Sequence, residues 1–150
     1  LLGCDLGLFN YDGPELDSGT VVEFMFAKFA DIPSVLLRTD FRGAGDQLEG
    51  GDPWNLMSSF YPRTKVVVLN AMAIYQAGLG ESPGGEDASS AAAAYLIEAA
   101  AVAVIAAFEE LLELPPHLPR DLRAPVTRWL KLMPGLETRQ SGTAKTNRPL

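Results

Sequence analysis

The sequence predicts an α/β fold with a parallel sheet, and three observations carry that prediction. Short apolar runs at residues 5–10, 34–37 and 64–69 have the length and β-branched or bulky content of buried strands. Each is followed by a segment with helical character, so strand and helix alternate along the chain. Glycine and proline mark the changes between them, at Gly13-Pro14, Pro33, Pro62 and Pro115-Pro116. Such alternation implies right-handed crossovers between parallel strands.

The first strand, over residues 5–10, runs into the polar turn Asp12-Gly13-Pro14-Glu15-Leu16-Asp17-Ser18-Gly19. A helix is expected from residue 20 to 30, with Thr20 and Glu23 matching the S/T-x-x-E capping box and Val21, Val22, Met25, Phe26 and Phe29 available for packing. Asp31-Ile32-Pro33 ends it, because the residue before a proline is pushed out of helical geometry. The second strand leads into Arg38-Thr39-Asp40-Phe41-Arg42 and then a glycine-rich acidic stretch over 43–52. That stretch lacks the lysine and spacing of a phosphate-binding loop. A short helix is expected over 53–60 with Pro53 in its first turn, then the third strand, a helical turn over 71–77 and a loop over 78–85.

An alanine-rich helix follows, from residue 87 or 89 to 114. Its 91–108 section is apolar enough to raise a membrane span, but Glu98 interrupts it and alanine adds little transfer energy. It is read as covering a sheet or a neighbouring subunit. A last amphipathic helix is expected over 121–133. The 150 residues suit one domain over 1–133, with the polar 134–150 read as a disordered tail. The start at Leu1-Leu2-Gly3-Cys4-Asp5, without methionine, predicts that strands upstream are missing.

Composition narrows the chemistry. A net charge of −7 argues against phosphate neutralisation on nucleic acid. The single cysteine, Cys4, excludes an internal disulfide and a multi-cysteine metal site, and is read as a small buried hydrophobe. The single histidine, His117, lies among prolines and is read as a surface residue. No metal and no cofactor are expected. An enzyme with this inventory works with carboxylates.

In open α/β sheets ligands bind outside the carboxyl ends of the strands. Residues 12–23, 38–42 and those after Leu69 all fall at that edge. Glu23 at a helix start, among Phe24, Met25 and Phe26, is a candidate nucleophile. Asp17, six residues earlier, converges with it only if it sits in a turn bent over the first helical turn. The structural alternative is that Asp17 caps the helix and Glu23 completes the box. Arg38, Asp40, Arg42, Trp54, Tyr61 and Tyr75 have structural explanations at least as good as functional ones.

Taken in order, Cys4-Asp5, Asp12-Gly13-Pro14, Asp17-Ser18-Gly19-Thr20-x-x-Glu23, Arg38-Thr39-Asp40-Phe41-Arg42 and Asn55-Leu56-Met57 resemble the nucleoside 2-deoxyribosyltransferase family. The resemblance covers residues 4–76 and implies a flavodoxin-like three-layer fold. It implies that Glu23 is the nucleophile, that Asp17 positions the sugar 5′-hydroxyl, and that Asp12, Gly13, Ser18, Gly19, Asn55 and Met57 belong to the substrate site. Asn55 would serve a neighbouring subunit, so the partners implied are a nucleoside, a free nucleobase and further copies of the chain, with no nucleic acid and no membrane, in the cytoplasm. Related hydrolases of nucleoside 5′-monophosphates tend to carry serine where Asp17 stands, which favours an unphosphorylated substrate here. N-glycoside hydrolysis, of deoxynucleosides or their 5′-monophosphates, and a non-catalytic nucleoside- or nucleotide-binding module are the alternatives. The family's N-terminal strand and upstream aspartate have no counterpart in this sequence, and the long alanine-rich helix lies outside its pattern.

Overall fold

The computed structural model describes residues 1–13, 17–40, 58, 60–81 and 87–132. Among them three strands form one parallel sheet in the order β1 (Gly7–Asn10), β2 (Ser34–Arg38), β3 (Thr64–Val68). The register sets Phe9 against Leu36 and Leu36 against Val66. The mixed α/β architecture expected from the alternating pattern is therefore present. Four helices accompany the sheet: α1 (Ser18–Phe29), α2 (Ala71–Glu81), α3 (Ala88–Leu112) and α4 (Arg120–Lys131).

Strand alternation divides the core in two. On one face Phe9, Tyr11 and Leu36 meet Phe24 and Ala27 of α1. The Phe24 ring receives Phe9, Tyr11 and Tyr61 edge-on, at centroid separations of 5.5, 6.0 and 5.7 Å. Quadrupole attraction favours that geometry over stacking face to face. On the other face Val35, Leu37 and Val67 meet Val104, Ala107, Phe108 and Leu111 of α3. The two helices are offset: α1 touches β1 and β2, while α3 touches β2 and β3. Leu8 on one face and Val68 on the other stay exposed as a result.

Asp31 ties the ends of several elements together. It adopts a left-handed φ of 57° as the chain leaves α1, a conformation aspartate tolerates better than most residues. Its carboxylate pairs with Arg63 at 3.2 Å and accepts the Leu118 N–H at 2.9 Å. The start of β3 and the approach to α4 are thus fastened to the end of α1. At the far side of the sheet Lys65 of β3 pairs with Glu110 of α3.

Several boundaries differ from the sequence reading. The expected loop over 78–85 begins later, because α2 continues through Gly78 and Gly80 to Glu81. Packing against α3 explains this: a Cβ on Gly78 would lie 3.0 Å from the Ala92 Cα, so glycine permits the helices to approach. Cys4 is exposed rather than buried. Arg38, at the end of β2, is buried, 2% exposed. His117 is exposed as expected. The helix expected over 53–60, apart from Ser58 and Phe60, and the tail over 134–150 lie outside the described residues.

Candidate functional site

The carboxyl edge of the sheet is organised by Asp12. Tyr11 still pairs with β2 through its N–H to the Leu37 carbonyl at 2.8 Å, which delivers Asp12 beside the end of that strand. There its carboxylate accepts the Thr39 N–H at 2.5 Å, the Thr39 hydroxyl at 2.7 Å and the Asp40 N–H at 3.0 Å. Asp40 reciprocates, accepting the Gly13 N–H at 3.2 Å. Gly13 has a φ of 108°, a conformation open to glycine and costly for other residues. Partial burial raises the Asp12 pKa, but the bonds from Thr39, Asn10 and Asp40 outweigh it and hold the carboxyl below its ordinary value. Asp12 and Gly13 therefore form a clamp between the first and second strand ends.

Asp17 is the N-cap of α1. Its Oδ2 accepts the Thr20 N–H at 2.7 Å and the Thr20 hydroxyl at 2.9 Å. Hydrogen bonds from the Thr20 backbone and hydroxyl lower its pKa. This corrects the expected capping box: Thr20 is the third helical residue and not the cap. Glu23, in the second turn, has no part in the capping. Ser18 and Gly19 form the exposed first turn, and a Cβ on Gly19 would lie 3.1 Å from Asp17 Oδ2.

Glu23 faces elsewhere. It lines a cleft of about 520 Å³ together with Leu1, Leu2, Val22 and Phe26, and Lys131 from the end of α4. Its carboxylate makes no hydrogen bond or ion pair among the described residues. Asp12, Gly13, Asp17, Ser18 and Gly19 do not line this cleft. The structure thus groups Asp12 and Gly13 with Thr39 and Asp40, gives Asp17 to Thr20, and leaves Glu23 in an apolar cleft with one lysine. Asn55, Met57 and Trp54 lie outside the described residues. Lys131 was not singled out from sequence, because nothing local in an amphipathic helix announces a contact so distant along the chain.

A second cleft, of about 310 Å³, lies at the other end of α1 and includes Lys28, Tyr61 and His117. Lys28 donates to the Pro62 and Arg63 carbonyls at 3.4 and 3.1 Å. Desolvation lowers its pKa to about 8. Among the described residues no group of three or more His, Cys, Asp or Glu side chains is placed to hold a metal ion. No family model, curated protein or solved structure matches the chain.

Proposed function

We propose that the protein transfers 2-deoxyribose between nucleobases, as nucleoside 2-deoxyribosyltransferases do, with Glu23 as the nucleophile. The observation that carries this reading is the state of Glu23: a carboxylate without a partner among the described residues, facing a cleft of about 520 Å³ walled by leucine, valine and phenylalanine. A nucleophile must be held by its backbone and left free at its reacting atom. α1 does the holding, through the Asp17 cap and the Phe24 anchor. The order β1-β2-β3 suits the 3-4-5 part of the flavodoxin-like order 2-1-3-4-5, and supports the scaffold the resemblance implies.

In this mechanism the base departs with its bonding pair, and C1′ acquires oxocarbenium character. A Glu23 oxygen attacks C1′ from the opposite face to form a glycosyl ester. A second base then displaces the carboxylate, and two inversions give net retention. Asp17 receives the sugar 5′-hydroxyl, Asn55 reaches the site of a neighbouring copy, and the enzyme works in the cytoplasm. Water in place of the second base would make it an N-glycoside hydrolase.

The test is exchange: a deoxynucleoside and a different free base should yield the new nucleoside, and a fluorinated sugar analogue should leave a covalent adduct on Glu23. An adduct on another residue, or full turnover by Glu23→Ala, overturns the assignment. One observation favours a binding module instead: the Asp12 and Asp17 carboxylates are engaged within the protein and stand outside the Glu23 cleft. Nucleoside binding by calorimetry, with neither exchange nor release of deoxyribose, would establish that reading.

A further inference from the structure

Two helices of the chain carry apolar surfaces of opposite charge that meet no partner among the described residues. On α3, Ala94, Ile97, Ala101, Ile105 and Leu112 recur at helical spacing along one stripe. Ile97, Ile105 and Leu112 are 68, 57 and 60% exposed. Every charge on this helix and its two flanking residues is acidic: Asp87, Glu98, Glu109, Glu110 and Glu113. Glu110 turns to Lys65, but Glu98 and Glu109 border the stripe. On α4, Leu122, Pro125, Trp129 and Leu132 fall along another stripe, with Trp129 64% and Leu132 56% exposed. Its charges are Arg120, Arg123, Arg128 and Lys131 against Asp121 alone. A groove lined by Pro125, Arg128, Trp129 and Leu132 runs along it.

We propose that α4 of one copy docks on the outer stripe of α3 of a second copy. Within one chain the two cannot meet. α3 lies on the Val35 face of the sheet, whereas the end of α4 borders Val22 and Phe26 of α1, which lies on the Phe9 face. A bilayer is the poorer occupant of the α3 stripe. The helix has the length and apolarity of a span, but its opposite side is fixed to β2 and β3 through Val104, Ala107 and Leu111. Inserting the helix would carry an open three-stranded sheet into the hydrocarbon, where the N–H and C=O groups of its edges would lack partners. A basic, aromatic-bearing helix complements an acidic apolar stripe in both terms. The contact is head to tail, because each copy offers two different surfaces. Three turns of α4 cover little area, so the association is weak and concentration-dependent.

Sedimentation velocity of the full chain over a range of concentrations tests this. Association should weaken with added sodium chloride, as screening reduces the charge term. Ile105→Arg and Trp129→Glu should each weaken self-association by about tenfold or more, with circular dichroism unchanged. Mixing the two variants should restore a one-to-one pair and nothing larger, since each retains the surface the other has lost. A chain that stays monomeric at every concentration overturns the proposal. So does a mixture that fails to pair, or stable partitioning of the chain into phospholipid vesicles.

Discussion

Asp12, at the carboxyl edge of the sheet, and Glu23, in the second turn of α1, are both carboxylates, and the fold treats them in opposite ways. Asp12 takes three hydrogen bonds from Thr39 and Asp40, and its pKa falls in consequence. Glu23 takes none among the described residues and looks onto a cleft. A carboxylate that is fully satisfied holds two strand ends together and has little left to offer a substrate. One that is fixed only through its helix leaves its oxygens available. Chemistry is therefore sought at Glu23, and stability at Asp12.

That contrast is open to being broken by substitution. Glu23→Ala should lower deoxyribosyl exchange by at least about a thousandfold, as loss of a covalent nucleophile does. The same change should move the urea midpoint within the range of ordinary surface substitutions, about 0.5 kcal/mol. A large loss of stability would place Glu23 with Asp12 as a structural residue. Asp12→Ala should do the reverse, costing about 2 kcal/mol by stranding the Thr39 and Asp40 donors. The Asp12 contribution is fully present above the ordinary aspartate value of 3.8 and lost as the pH falls through the lowered value. Acid unfolding of Asp12→Ala should therefore lose that part of its pH dependence.

All three strands were legible because their runs of valine, leucine and phenylalanine have few other uses at that length. The site was legible only in part. Thr20 and Asp17 both fit a helix cap, and aspartate, the stronger cap, sets the cap three residues earlier than the box implied. Gly78 looked like loop because glycine weakens helices; the close approach of Ala92 that makes it useful is a tertiary fact. The grouping of Asp12 with Thr39 and Asp40 depends on strand register, which no local pattern states. Lys131 reaches the Glu23 cleft from the last helix, across most of the chain.

Smaller effects refine the contrast. Asp17→Ala should destabilise the first turn of α1, seen as faster amide exchange at Thr20, while Asp17→Asn keeps an acceptor and most of the cap. An exchange activity that falls far more than the helix frays would give Asp17 the sugar contact as well as the cap.

Lys28, at the opposite end of α1, tests whether burial can act on a charge that hydrogen bonds already satisfy. Desolvation lowers its pKa from 10.5 to about 8; Asp31 pulls it upward, and Arg63 adds to the fall. Between these values the unfolded chain binds more protons than the folded one, so stability rises with pH through that window. Below about 8 both states are protonated and the desolvation cost is present in full. The exposed part of the side chain stays screened, which keeps the gain smaller than the full displacement implies. Tyr11, whose hydroxyl is pushed by burial from 10.0 to about 12, works against the gain only above its ordinary value. Lys28→Met removes the titration, so urea midpoints of variant and parent should converge or cross as the pH rises from neutrality toward about 10, with the parent gaining. A constant difference across that range would mean that the Pro62 and Arg63 carbonyls offset the loss of solvent entirely. The contrast drawn from Asp12 would then extend to cations.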